Sequence, residues 1–170
     1  LVPEIGLTPQ TLRRFRERLA ARIEVIHSGL ADGERTRAWL AAARGEADVV
    51  IGTRSAVFAP LTRAGLIIVD EEHDASYKQQ EGWRYSARDL ALVRARALEV
   101  PVVLGTATPS LETLANVEAG RYAKLHLAAR PGVARLPQFR LVDLRGKPLR
   151  HGLADETTAA LRACLARDEQ

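Results

Sequence analysis

The sequence predicts an α/β fold, a mostly parallel sheet flanked by helices, on three observations. Short apolar runs alternate with longer stretches of helical period, the order in which helical crossovers bring parallel strands side by side. The runs "DVVIGT" (Asp48–Thr53), "LIIV" (Leu66–Val69) and "VPVVLG" (Val100–Gly105) have apolar, β-branched centres, as strands covered on both faces do. Helix-start signals fall between these runs and not inside them.

Taken in order, Thr8-Pro9 joins an N-cap to a first-turn proline, and Leu12, Phe15 and Leu19 then share one helical face. Ile23–His27 reads as a strand. Asp32 caps a second helix whose apolar side carries Trp39 and Leu40. Ser86, with Asp89 three residues on, forms a capping box and opens a helix running to about Leu98. Thr108-Pro109 repeats the cap-plus-proline signal and starts a helix through Val117. Beyond Gly120 the texture changes. Tyr122–Leu127 and Phe139–Leu144 read as strands around the Pro-, Gly- and Arg-rich "AARPGVARLP", and Leu153–Arg167 reads as a last helix. A boundary near residue 128 gives a first domain, 1–128, and a connecting segment, 129–170. No internal repeat or low-complexity tract interrupts the pattern.

The 170 residues suffice for one domain with its own core, and 46% hydrophobic with 27% charged content is ordinary for a soluble globular protein. No run of 18 apolar residues exists, so no membrane partner is expected. Leu1-Val2-Pro3-Glu4 has neither the basic nor the apolar region of a signal peptide. A single cysteine, Cys164, excludes an internal disulfide framework and a Cys-based zinc site within these residues. A cytoplasmic location is the default expectation. Methionine is missing even from position 1, and the chain reads as a piece of a longer protein. The net charge of +4 comes from 22 arginines and 3 lysines. Arginine's planar fork suits phosphate contact, and GC-rich coding yields the same bias, so charge leaves both readings open.

The residues that carry chemistry sit where three strands end. Asp70-Glu71-Glu72-His73 follows four apolar residues, and ligands of open α/β sheets bind beyond the carboxyl ends of strands. There Asp70 can hold Mg²⁺, usually through water, and Glu71 can orient and deprotonate a water for attack on a γ-phosphate. A solvated acidic turn would look the same. A zinc hydrolase would usually place two His one helical turn apart, which this segment lacks. Gly105-Thr106-Ala107-Thr108 puts two hydroxyls on the same rim, although Thr108 also suits a helix cap. Gly52-Thr53-Arg54-Ser55 ends a third strand with phosphate-contacting types, or with ordinary turn chemistry. The aromatics at Tyr77, Trp83 and Tyr85 match neither a helix face nor a full strand. Interleaved with Lys78 and Arg84, they suit stacking on bases, with burial of Trp83 and Tyr85 in a core as the alternative.

Together the segments "LVPEIGLTPQ", "HSGL", "VIGTRSA", "VDEEHDASYKQQEGWRY", "ARDLA" and "GTATPSLETL" resemble the first RecA-like domain of superfamily 2 helicases over residues 1 to 120. More closely they resemble the bacterial replication-restart DNA helicases of DEAH type. The resemblance implies an incomplete RecA-like P-loop NTPase domain followed by a connection toward a second motor domain. It implies Asp70 and Glu71 as the catalytic pair, with ATP and Mg²⁺ as cofactors. His73, Thr106 and Thr108 are then ATP-coupling residues. Pro3, Glu4, Thr8, Thr53 and Arg54 then lie along the DNA strand. Tyr77, Lys78, Trp83, Arg84 and Tyr85 resemble the aromatic-rich loop that makes hydrolysis depend on bound single-stranded DNA.

The implied parent is a 3′-to-5′ DNA helicase that remodels stalled forks and promotes primosome assembly. Its implied partners are single-stranded and branched DNA, single-stranded-DNA-binding protein and helicase-loading proteins, at the nucleoid. These 170 residues depart from that pattern. They contain no G-x-x-x-x-G-K-[ST] and no paired cysteines for the family's zinc. The family places its phosphate-loop strand beside Pro101–Gly105, so that edge is expected to be bare. A non-hydrolysing single-stranded-DNA-binding module is the alternative for this chain. A metal-dependent hydrolase on Asp70, Glu71 and His73 is a third reading.

Overall fold

The computed structural model describes residues 1–3, 7–127, 139 and 141–167. The chain divides into two compact units, Leu1–Lys124 and Leu125–Gln170. The boundary expected near 128 falls among residues that are not described. In the first unit the order is α1 (Pro9–Arg18), β1 (Ile23–Ile26), α2 (Asp32–Ala43), β2 (Val49–Gly52), β3 (Ile67–Val69), β4 (Lys78–Gln79), β5 (Tyr85–Ser86), α3 (Ala87–Ala97), β6 (Val102–Leu104) and α4 (Leu111–Glu118). Short 3₁₀ turns at Arg54–Phe58 and Ala75–Tyr77 follow β2 and precede β4.

The expected parallel sheet is present as two parallel pairs. β1 lies against β2 with Ile26 opposite Gly52, and β3 lies against β6 with Val69 opposite Leu104. Leu1 and Val2 connect the pairs. The Val2 N–H donates to the Gly52 carbonyl at 3.0 Å, and the Asp70 N–H donates to the Leu1 carbonyl at 2.9 Å. Backbone bonds therefore run in the order β1, β2, Leu1–Val2, β3, β6. Gly52 is required at the crossing, because a Cβ there would lie 2.1 Å from the Ile26 carbonyl oxygen. The outer edge of β6 has no partner strand among the described residues.

The core consists of two clusters with Leu1 touching both. One is Val57, Val69, Tyr77, Ala87 and Ala91, and the other is Ile26, Ala38, Ala56 and Ala59. Alanines at 87, 91 and 95 form the buried stripe of α3, and their small side chains let the helix lie close to the sheet. The α2 face differs from expectation. Ala38, Ala41 and Ala42 are its buried residues, whereas Trp39 and Leu40 stay partly exposed along a hollow of about 600 Å³.

Several boundaries move for local reasons. Ala31, not Asp32, occupies the N-cap of α2. Its N–H donates to the Glu34 carboxylate at 3.3 Å, and Asp32 pairs with Arg35 at 2.8 Å. The cap of α4 is Ser110, whose hydroxyl accepts from the Thr113 N–H at 3.3 Å, which leaves Thr108 outside the helix.

Tyr122–Leu127 is not a strand. The Tyr122 N–H folds back onto the Asn116 carbonyl, and among the described residues no strand pairs with Leu125 or Leu127. In the second unit, Phe139 and residues 141–144 are likewise not in a strand, and Arg140 lies outside the described residues. There the last helix, α5 (Asp155–Ala166), is preceded by a turn in which Arg150 and Leu153 exchange backbone bonds at 2.9 and 3.0 Å. No helix among the described residues is long and apolar enough to cross a membrane.

Candidate functional site

The acidic box leaves the sheet at the carboxyl end of β3. Val69 is fully buried and Asp70 is exposed, so one step of chain passes from core to rim. The Asp70 backbone is held on both sides. Its carbonyl accepts the Tyr77 hydroxyl at 2.7 Å, and its N–H reaches Leu1. Its carboxylate accepts the Glu71 N–H at 3.1 Å and faces Gly105, where a Cβ would approach Oδ1 to 3.4 Å. Glu71 adopts φ +45°, the left-handed region that a non-glycine residue enters at a cost of about 1–3 kcal/mol. The turn closes with the Asp74 N–H on the Glu71 carbonyl at 2.8 Å.

His73 lies between the two strand ends. Its Nδ1 is 2.9 Å from the Thr106 hydroxyl and 3.6 Å from the Glu71 carboxylate, and its Nε2 is 3.3 Å from the Thr108 hydroxyl. The Thr106 hydroxyl also accepts the Thr108 N–H at 3.0 Å. Both expected coupling threonines thus meet the expected coupling histidine. Thr108 is free to do so because Ser110 takes the capping role.

Glu72 carried no expectation, yet it is 2% exposed. Its carboxylate accepts the Ser110 N–H at 2.7 Å, the Ser110 hydroxyl at 3.1 Å and Arg88 Nη1 at 3.0 Å. Burial pushes its pKa up, but the Ser110 amide and the Arg88 guanidinium outweigh that and hold it below the ordinary carboxylate value. Opposite charges at 72 and 88 were visible in the sequence, but the distance between them was not.

The residues expected along DNA divide into accessible and committed groups. Trp83 is 93% exposed, and Lys78 and Arg84 are exposed as well. Lys78, Gln79, Gln80, Arg84, Tyr85 and Ser86 line an open hollow of about 590 Å³. Tyr85 is half-buried with its ring edge-on to Phe58 at 5.1 Å. Tyr77 is 1% exposed, and no ring face is left for a base. Arg54 donates to the Ser76 carbonyl at 3.1 Å and the Lys78 carbonyl at 3.3 Å, which ties the end of β2 to the start of the aromatic loop. Thr53 is buried, and with Arg54, Ser55 and the loop it lines a smaller hollow of about 140 Å³. Thr8 caps α1 by accepting the Thr11 N–H at 3.2 Å, and Pro3 is buried. Glu4 lies outside the described residues.

The acidic box at the end of β3 is thus joined through His73 to two hydroxyls beyond the end of β6. The model of the DEAD/DEAH box helicase family matches residues 1–117, and the chain belongs to that family. Its described fold, parallel strands flanked by helices, is that of a partial RecA-like domain. Over all of its length it is 46% identical to the Replication restart protein PriA of Haemophilus influenzae and 44% identical to that of Bacillus subtilis. It is also 44% identical, over 97% of its length, to the Synechocystis protein of the same name. The chain spans 23%, 22% and 20% of these three relatives.

Proposed function

We propose that the chain is the coupling part of the first motor domain of an ATP-driven, 3′-to-5′ DNA helicase that restarts replication at stalled forks. One observation carries this reading. His73 bonds to Thr106 and Thr108 while sitting beside Glu71, so one side chain links the acidic box to the neighbouring strand end.

The donor set fits magnesium brought by a nucleotide. No three His, Cys, Asp or Glu side chains converge among the described residues, so Asp70 would be one oxygen ligand, through water, beside the phosphates. When bound, Mg²⁺-ATP supplies the γ-phosphate and neutralises charge that develops on it. Glu71 then orients the attacking water and accepts its proton on the carboxylate. His73 reports the state of that carboxylate to Thr106 and Thr108. Trp83, Arg84 and Lys78 bind the single strand by stacking and by phosphate contact. Branched DNA, single-stranded-DNA-binding protein and primosome-loading proteins are the partners in this reading, and the cytoplasmic nucleoid is the location.

The test uses the full-length protein that contains this segment. ATP turnover should rise when single-stranded oligonucleotide is added, and forks with a 3′ single-stranded arm should be unwound. Turnover indifferent to DNA overturns the reading. The 170 residues hold no phosphate loop, so by themselves they should bind single strands with negligible hydrolysis. Measurable DNA-stimulated turnover by the chain alone would contradict that part.

A further inference from the structure

We infer that Arg88 is a positioning residue that carries the state of the Trp83–Tyr85 loop into the acidic box through Glu72. The inference rests on the motor reading above and names the path inside it. Glu72 stands between Glu71 and His73 in the chain, and its side chain is 0% exposed. Neither neighbour can shift its backbone far without displacing that buried carboxylate. The carboxylate is gripped from two directions. Ser110 supplies its N–H and hydroxyl from the segment that begins with Thr106 and Thr108, and Arg88 supplies Nη1 from the first turn of α3. Arg88 also donates from Nη1 to the Ser110 hydroxyl at 3.0 Å, so the three side chains close a ring.

The aromatic loop reaches this ring directly. β5 runs without a spacer into α3, with Ser86 as the cap and Arg88 two residues later. The other end of the loop is pinned, because Arg54 holds the Ser76 and Lys78 carbonyls and the Tyr77 hydroxyl holds Asp70. β5 pairs with β4, Ser86 opposite Lys78 and Tyr85 opposite Gln79, so a strand that engages the exposed Trp83 and Arg84 pulls on β5 and through it on the first turn of α3. Movement there arrives at Arg88 and then at Glu72. A buried ion pair offers little net stability against an apolar substitute, so stability alone does not account for the arrangement. Arg88 Nη1 donates to both Glu72 and Ser110 while its Nε donates to Asp89 at 2.8 Å, so the guanidinium has a fixed direction that an apolar contact would lack.

The experiment compares Arg88→Lys and Arg88→Met in the full-length protein. It measures basal turnover, DNA-stimulated turnover, KM for ATP and Kd for a fluorescent oligo-dT. For Arg88→Met, stimulation should fall about tenfold or more while basal turnover, KM and Kd stay within about twofold. Arg88→Lys should recover part of the loss. Stimulation kept within about twofold in Arg88→Met, or basal and stimulated turnover falling in the same proportion, overturns the inference. If Arg88→Met does not fold, Arg88→Lys decides alone. A selective loss of stimulation supports the relay, and a loss under about twofold, or one shared with basal turnover, defeats it. A wild-type protein that ignores single strands defeats the motor reading instead.

Discussion

His73 and Thr106 stand 33 residues apart in the chain and share a hydrogen bond of 2.9 Å between Nδ1 and Oγ1. The parallel register that sets Val69 opposite Leu104 brings them together, because each lies just past the end of its own strand. Thr106 also accepts the Thr108 N–H, so one hydroxyl organises the whole contact. Replacing it with valine keeps the volume and removes both bonds. In the full-length protein, Thr106→Val should lower DNA-stimulated ATP turnover about 5- to 10-fold, the equivalent of one hydrogen bond of about 1 kcal/mol. Oligonucleotide affinity without nucleotide should not change. Full turnover in Thr106→Val would show that His73 acts without this partner.

The aromatic loop separates into an exposed ring, Trp83, and a buried one, Tyr77. Trp83→Ala should leave the unfolding midpoint unchanged, because the side chain is 93% exposed. It should weaken single-strand binding by about 1–3 kcal/mol, or about 5- to 150-fold, the worth of one stacked base. Tyr77→Phe should do the reverse. Burial pushes the Tyr77 phenol up, so it stays a donor to the Asp70 carbonyl. Losing that bond should reduce stability by about 0.5–1.5 kcal/mol with DNA affinity preserved. Calorimetry and fluorescence anisotropy on both variants would separate them, and a large stability loss in Trp83→Ala would refute the division.

That division also marks how far the sequence could be read. Strands β2, β3 and β6 announced themselves through continuous apolar, β-branched runs, and the box at the end of β3 followed from where such a strand must stop. Ser86 announced α3 through its own cap. Tyr77, Trp83 and Tyr85 looked alike because local period says nothing about a ring whose partner is a carbonyl seven residues back. Arg54 looked like a phosphate ligand, and local sequence did not show that its Nη1 donates to two backbone carbonyls in the aromatic loop. Glu72 was hidden for a similar reason. An acid among acids shows its role only when the fold presents Arg88 and Ser110 to it.

Asp48 gives a pH-dependent prediction. Its carboxylate accepts Arg22 Nε at 2.9 Å, Nη2 at 2.8 Å and the Arg22 N–H at 3.0 Å, which staples the start of β1 to the start of β2. The Arg22 side chain, then its N–H, holds the Asp48 pKa well below the usual carboxylate range. A depressed folded pKa means that the unfolded chain takes up protons first. The contribution is therefore complete above the ordinary aspartate value of about 3.9 and declines as pH falls from there toward the folded pKa. Wild type should lose stability over that acid interval more steeply than Asp48→Asn, which should be the less stable of the two at neutral pH. Parallel pH profiles would rule the staple out.

Asp70 separates a motor from a metalloenzyme. A hydrolase built on Asp70, Glu71 and His73 needs an ion held by the protein itself, with several ligands converging. Among the described residues no three candidate side chains converge, and His73 is engaged with Thr106 and Thr108. A motor needs only one carboxylate near magnesium that arrives with its nucleotide. Calorimetric titration of the chain with Mg²⁺ or Mn²⁺ alone should therefore show no sub-micromolar site, and Asp70→Asn should not alter the trace. In the full-length protein the same substitution should abolish DNA-stimulated ATP turnover while leaving oligonucleotide binding intact. Tight metal binding without nucleotide, lost in Asp70→Asn, would return the site to the hydrolase reading.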